Sequence, residues 1–294
     1  MNNPFKIAKI FSTSVIMIFN VFVLLQTFVL SQGYTAVQKT ETQALQLTSG
    51  NTNVSSNSYS DENISITLDT IVQNETTIYI ADIQIEDPGL LKSALAQDTY
   101  GHNVTQTVSE MAQANNAILA INGDYYGADE SGYVIRDGVI YRDTATDQED
   151  FVIFEDGHVE IINEMDISAQ ELVDQGAITL LAFGPTLVEN SQVVVDTNAE
   201  VGKAMTSNPR TAIGIIDEGH YVFVVSDGRT QESEGLSLYE MATLMESLGV
   251  QTAYNLDGGG SSTMVFNDTL VNNPTTNGKN INEREVSDIV YIGY

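Results

Sequence analysis

Between residues 134 and 225 one pattern recurs: an apolar run ends at an acidic residue, glycine follows, and a second apolar run begins. It occurs at Val134-Ile135-Arg136-Asp137-Gly138-Val139-Ile140, around Asp156-Gly157 within Phe151 to Ile162, and around Glu218-Gly219 within Thr211 to Val225. Such dipeptides accept the positive φ of a tight hairpin turn, so each pair of runs is expected to fold back as neighbouring antiparallel strands. Ile64 to Leu68 and Thr77 to Ile85 alternate apolar and polar residues, and Ala117 to Ile121, Thr179 to Phe183, Thr252 to Leu256 and Val286 to Ile292 read as further strands. Two capping boxes open helices, Thr107-Val108-Ser109-Glu110 toward Asn115 and Ser237-Leu238-Tyr239-Glu240 toward Gly249. In the second, Leu238, Met241, Ala242, Met245 and Leu248 share one face. The expected class is α+β: a mixed, largely antiparallel sheet with packed helices, following an N-terminal transmembrane helix.

That last element rests on the run from Ile10 to Leu30, which has no charge and stands behind Lys6 and Lys9. A bilayer-spanning helix needs about 20 apolar residues, whereas a signal peptide has about 7–15. Ser31-Gln32-Gly33-Tyr34-Thr35-Ala36 is a poor cleavage site. Residues 1–30 are therefore read as an uncleaved membrane anchor, with a signal sequence as the alternative. Lys6 and Lys9 stay cytoplasmic by the positive-inside rule, which puts the rest outside. Residues 31–60 are rich in Ser, Thr, Asn and Gln without a lasting apolar period and read as a flexible polar linker. Residues 61–294 form the outer domain.

Composition narrows the chemistry. Lys plus Arg is 11 against 40 Asp plus Glu, a net charge of −29, and such a surface repels nucleic-acid backbones. With no Cys there is no disulfide, thiol nucleophile or Cys-based zinc site, and three His argue against a multi-His metal site. His102, His158 and His220 read as surface turn residues. Neither a Gly-x-Ser-x-Gly elbow nor His-Glu-x-x-His occurs, which disfavours serine hydrolases and zincins.

Asn122-Gly123-Asp124 and Asn255-Leu256-Asp257 each lie just past a short apolar strand that follows a helix. Strand ends line ligand crevices, and Asn and Asp also start turns; spacing leaves both readings open. Gly258, Gly259 and Gly260 let backbone approach a ligand closely, and their amides suit an anion. The arginines are Arg136, Arg142, Arg210, Arg229 and Arg284. Arg210 stands at the mouth of a strand, and Arg229 lies just past the other strand of the same hairpin. A planar guanidinium suits phosphate, with a salt bridge to one of many acids as the competing use. Asp124, Asp227 and Asp257 all follow apolar strands, and glycoside cleavage commonly uses a carboxyl pair. Tyr125 and Tyr126 suit either a sugar face or the core.

Five ordered segments resemble the phosphodiester glycosidase family: Ile121-Asn122-Gly123-Asp124-Tyr125-Tyr126, Phe183-Gly184-Pro185-Thr186-Leu187-Val188, Asn208-Pro209-Arg210-Thr211-Ala212-Ile213-Gly214, Ser226-Asp227-Gly228-Arg229, and Asn255-Leu256-Asp257-Gly258-Gly259-Gly260-Ser261-Ser262. The resemblance runs from about Ala117 to the C-terminus, and Arg284-Glu285-Val286-Ser287-Asp288 is similar to the family's closing Arg-x-Val element. It implies a hydrolase that cleaves the glycosyl C1–O bond of a sugar-1-phosphodiester in the cell envelope or extracellular polysaccharide. On that reading Asp257 is the first-choice catalytic carboxylate, followed by Asp227 and Asp124. Arg210 and Arg229 hold phosphate. Asn122, Asn255 and Asp227 position sugar or water. Gly258, Gly259 and Gly260 offer backbone donors, and Gly123, Tyr125 and Ser261 complete the substrate site. No cofactor is expected, the alternative being a Ca²⁺ site of oxygen ligands around Asp257. The expected partners are a glycan or sugar-phosphodiester and the membrane, not nucleic acid. The rival reading is a non-catalytic sugar-phosphate-binding module in exopolysaccharide assembly.

Overall fold

The computed structural model describes residues 32–34, 52–199 and 207–294. The expected anchor lies outside these residues, and among them no helix is long and apolar enough to cross a membrane.

The hairpin signals are honoured. Gly132–Arg136 pairs with Val139–Thr144, Glu149–Phe154 with Val159–Asn163, and Arg210–Asp217 with His220–Ser226. Asp137 and Gly138 both take positive φ, as do Gly157 and Gly219. The strands do not join into one mixed sheet, however. Among the described residues every pairing is antiparallel, and three main sheets form. A nine-stranded sheet has Thr252–Leu256, Arg210–Asp217, His220–Ser226 and Thr76–Ile85 side by side at its centre. A five-stranded closing sheet sets Leu119–Asn122 between Met264–Phe266 and Asp288–Ile292. A second five-stranded sheet holds the two hairpins of residues 132–163 together through Ala177–Leu181.

One core lies between the three. Ile66, Phe223, Tyr254 and Leu256 enter it from the large sheet, Leu119, Ile121 and Val290 from the closing sheet, and Phe151, Ile153 and Leu181 from the hairpin sheet. Each sheet turns its other face to a short helix: α1 (Val108–Ala114) on the closing sheet, α2 (Ala169–Asp174) on the hairpin sheet and α3 (Leu238–Ser247) on the large one. That is why residues 221–225, within His220–Ser226, are apolar without alternation. Tyr221, Phe223 and Val225 face the central core, while Val222 and Val224 lie beneath α3. Phe223→Ala would cost about 3–5 kcal/mol of folding stability at that fully buried site.

All three helices begin with a complete capping box, at Thr107/Glu110, Ser168/Glu171 and Ser237/Glu240. Each is worth about 1 kcal/mol and matters more in short helices, which cannot nucleate alone. Two boundaries differ from the sequence reading. The polar linker does not extend to residue 60, because Asn53–Val54 and Ser58–Ser60 already form the outer edge of the large sheet. Gln32–Tyr34 likewise pairs with Tyr100–His102.

Candidate active site

Strand direction gathers the site. Thr252–Leu256 ends at the same edge of the large sheet at which Arg210–Asp217 begins, His220–Ser226 ends and Thr76–Ile85 begins. The backbone records this alignment: Gly184 N donates to Asn255 O at 3.2 Å, Gly259 N to Pro209 O at 2.8 Å, and Asp227 N to Thr77 O at 3.0 Å. The closing sheet meets that edge where Asp257 N donates to Gly123 O at 3.3 Å. The two Asn-x-Asp triplets therefore face each other across the junction of two sheets.

Asn122 makes that junction. It is fully buried; its Nδ2 donates to Asp257 O at 2.6 Å, and its Oδ1 accepts from Thr211 Oγ1 at 2.8 Å and Thr263 N at 3.2 Å. Those bonds occupy the amide and hold Asp257 in place, so Asn122 acts through the backbone rather than on a ligand. Asn255 is also buried; its Nδ2 donates to Gly184 O at 2.7 Å, while its Oδ1 has no partner.

Asp257 projects from this frame with its side chain 10% exposed. Its Oδ2 accepts from Ser261 Oγ at 2.5 Å and Arg284 Nη2 at 3.0 Å. Ser261 reaches it because Gly259–Ser261 forms one turn of 3₁₀ helix. Burial raises the Asp257 pKa above the ordinary carboxylate value, opposed by Ser261, Arg284 and the Gly258 amide. Arg284 Nε also donates to Ser261 Oγ at 2.9 Å, and its side chain is 40% exposed, so the guanidinium covers the solvent side of the carboxylate.

Arg229 borders the same turn. Gly259 has φ +61°, and a Cβ there would come within 2.7 Å of Arg229 Nη2. Arg229 itself takes φ +63°, a left-handed conformation unusual for an arginine. Its donors go to neutral acceptors: Nε and Nη2 to Asn208 Oδ1 at 3.1 and 2.9 Å, and Nη1 to Thr276 O at 2.8 Å. Among the described residues no carboxylate lies within ion-pair distance of it. Burial, and then the charge of Arg284, lower its pKa.

The other expected residues hold the fold. Arg210 is 3% exposed, and its Nε donates to Leu236 O at 2.9 Å, on the α3 side of the large sheet. The arginine that reaches Asp257 is instead Arg284, from the closing Arg-x-Val segment. Asp227 is buried beneath Tyr79 OH at 3.1 Å and the Asn273 N and Nδ2 groups at 2.8 and 2.9 Å, so its oxygens are occupied. Asp124 is buried too; it accepts from Tyr126 N, Ala182 N and Arg136 Nη2 at 3.0, 2.9 and 2.9 Å. Arg136 also grips Asp288 Oδ2 through Nε at 3.1 Å and Nη2 at 2.5 Å. Burial works against this cation, but Asp124 and Asp288 outweigh it, and its pKa is raised. Burial, then the charge of Asp124, push the Asp288 carboxyl up to about 8 despite Arg136. Gly123 is the glycine this cluster needs, since a Cβ there would collide with the Asp288 carboxylate. Tyr126 is core, whereas Tyr125 is 45% exposed.

The carboxylate around which a Ca²⁺ site was the alternative, Asp257, is bonded to Arg284. Among the described residues no three His, Asp or Glu converge to hold a metal ion.

The fold and the segments that build this edge define the class. Residues 115–293 match the phosphodiester glycosidase family, and the chain belongs to it. It is 32% identical over 201 residues to the SPbeta prophage-derived uncharacterized protein YomE of Bacillus subtilis, covering 66% of this chain and 31% of that protein. It is 31% identical over 186 residues to the mouse N-acetylglucosamine-1-phosphodiester alpha-N-acetylglucosaminidase, covering 58% and 35%. The chain thus spans about a third of the length of these relatives. The catalytic domain of the zebrafish enzyme of that name, auto-inhibited by its pro-peptide, superposes with a TM-score of 0.61 at 22% identity over 79% of this chain and 83% of that one. Family membership supports a hydrolase-type function.

Proposed function

We propose that this chain hydrolyses the glycosyl C1–O bond of a sugar-1-phosphodiester, with Arg229 and Arg284 on the phosphate and Asp257 as the reacting carboxylate. The observation that carries it is charge. In a protein of net charge −29, Arg229 is held by neutral acceptors beside a second arginine. A paired, half-exposed cation of this kind suits an anionic ligand. Of the three candidate carboxylates, Asp257 is the one whose bonded arginine is open to solvent: Arg284 is 40% exposed, against 3% for the Arg136 that holds Asp124.

The C1–O bond breaks with its electron pair leaving on the phosphate oxygen, and the product is a phosphomonoester. A phosphate leaves readily, so strong general-acid help is not required. Water supplies the oxygen that bonds to C1 and gives a proton to Asp257, whose raised pKa makes it a better acceptor. The arginines stay on the phosphate as its charge grows. Tyr125 offers an exposed ring to the sugar or aglycone.

The test is incubation of the purified full chain with nitrophenyl diesters of several sugar 1-phosphates. Free sugar together with nitrophenyl phosphate is the expected pair of products. Release of sugar 1-phosphate would place the cut at phosphorus, and binding without either product would make the chain a binding module. We also propose that residues 1–30 anchor the chain with this domain outside the cell. Protease added to intact cells should then digest the domain, while a mature protein found free in the medium would refute the anchor.

A further inference from the structure

We infer that Arg284 couples the substrate's phosphate to the reacting carboxylate: an arriving anion draws the guanidinium off Asp257 and so switches Asp257 on. This deepens the proposed function and rests on it. Among the described residues Arg284 is the cation that bonds Asp257, and its charge also acts on Arg229. Its Nη2 donates to both Asp257 and Ser261, its Nε donates to Ser261, and Nη1 has no protein acceptor among the described residues. The arginine of this pair is 40% exposed, so a bidentate phosphate can reach its fork and compete for it. The anion also relieves the repulsion between the two arginines, which no described carboxylate does for Arg229.

The consequence concerns specificity. With Arg284 in place, its charge opposes the rise in the Asp257 pKa that burial produces. Once the phosphate holds Arg284, burial and Ser261 remain, and the carboxylate gains affinity for the proton of the attacking water. The charged groups that face Asp257 are Arg284 and, from the closing sheet, Asp288; Arg229 faces Arg284. Of the two that face Asp257, Arg284 is the exposed one, since Asp288 is fully buried. A glycoside without a phosphate would bind and leave Asp257 masked, so it would be rejected in kcat as well as in KM.

Proton linkage tests this without requiring turnover. Inorganic sulfate, which does not titrate near neutral pH, is bound to the full chain by calorimetry in buffers of different ionisation heat. Wild type should take up a fraction of a proton per sulfate, whereas Arg284→Gln, whose sulfate rests on Arg229, should take up none. Asp257→Asn, checked by its melting curve, should also show no uptake. Sulfate binding without uptake in wild type, no sulfate binding, or equal uptake in Asp257→Asn would each overturn the coupling. A kinetic arm separates it from the proposed function. If the diester is cleaved, sulfate should speed hydrolysis of the matching glycosyl fluoride by about tenfold in wild type and not in Arg284→Gln. Cleavage of the diester with no sulfate effect on the fluoride would sink the coupling and leave the function standing.

Discussion

Asp257 with Arg284 and Asp124 with Arg136 are the same chemical pair placed at matching positions, each following an Asn-x-Asp strand end, yet they differ in nearly every physical respect. Arg136 and Asp124 have side chains 3% and 0% exposed, against 40% for Arg284 and 10% for Asp257. Arg136 serves two carboxylates, Asp124 and Asp288, and backbone amides complete the shell of Asp124. Arg284 serves one carboxylate and a hydroxyl. Buried, fully bonded ion pairs resist loss of one partner, whereas exposed ones can be exchanged for a ligand. The first pair therefore fixes the junction of the sheets, and the second is available for chemistry.

The largest effect separating the two should come from Asp257→Asn. Turnover of the diester should fall by about 10²–10⁴-fold with the melting temperature nearly unchanged, because Asn keeps the volume but cannot take a proton. Substantial residual activity would move the reacting role elsewhere. Arg136→Met attacks the buried counterpart and should lower stability by about 3–5 kcal/mol in denaturant titration, since two carboxylates lose their cation. A loss of activity with intact stability would contradict the division drawn here. Arg229→Lys should cost about 1.5–3 kcal/mol in kcat/KM, about tenfold or more in rate, because a lysine cannot form the fork. Arg210→Lys should show its effect in the melting curve instead.

A third carboxylate pair sharpens the contrast, because it has burial without an arginine bridge. Asp150 is fully buried beside Glu164, and burial, then Glu164, push its pKa up to about 10. A carboxyl whose folded pKa is raised contributes stability below its unfolded value, and that contribution is lost as pH climbs toward about 10. Asp150→Asn should therefore add about 1–2 kcal/mol at pH 7, and the gain should shrink toward pH 4. An equal effect at both pH values would show that Asp150 carries no extra proton.

Much of the site edge was legible in the sequence because it is built from local signals. Asp137-Gly138 and Glu218-Gly219 announce hairpins, Thr107 and Ser237 announce helices, and the Asn-x-Asp pair marks two strand ends. What escaped depends on contacts between distant segments. Arg284 joins Asp257 from a loop with no apolar period. Arg136 lies mid-hairpin, where nothing local shows that two acids will converge on it. The separation into three sheets follows from how the strands close around one core. Ser168-Ala169-Gln170-Glu171 does carry a capping box, but the helix it opens is too short to show an apolar face. Ser58–Ser60 looked like stalk because an edge strand needs little apolar surface.

The left-handed backbone at Arg229 has a consequence of its own. Most residues avoid that conformation, and asparagine or glycine would hold it more comfortably by about 1 kcal/mol. Exchange of Arg229 for either should give a sturdier protein that has lost its grip on an anion. Selection for thermal endurance alone would work against the arginine here. An arginine in that conformation exchanges some durability for a guanidinium placed at the site edge.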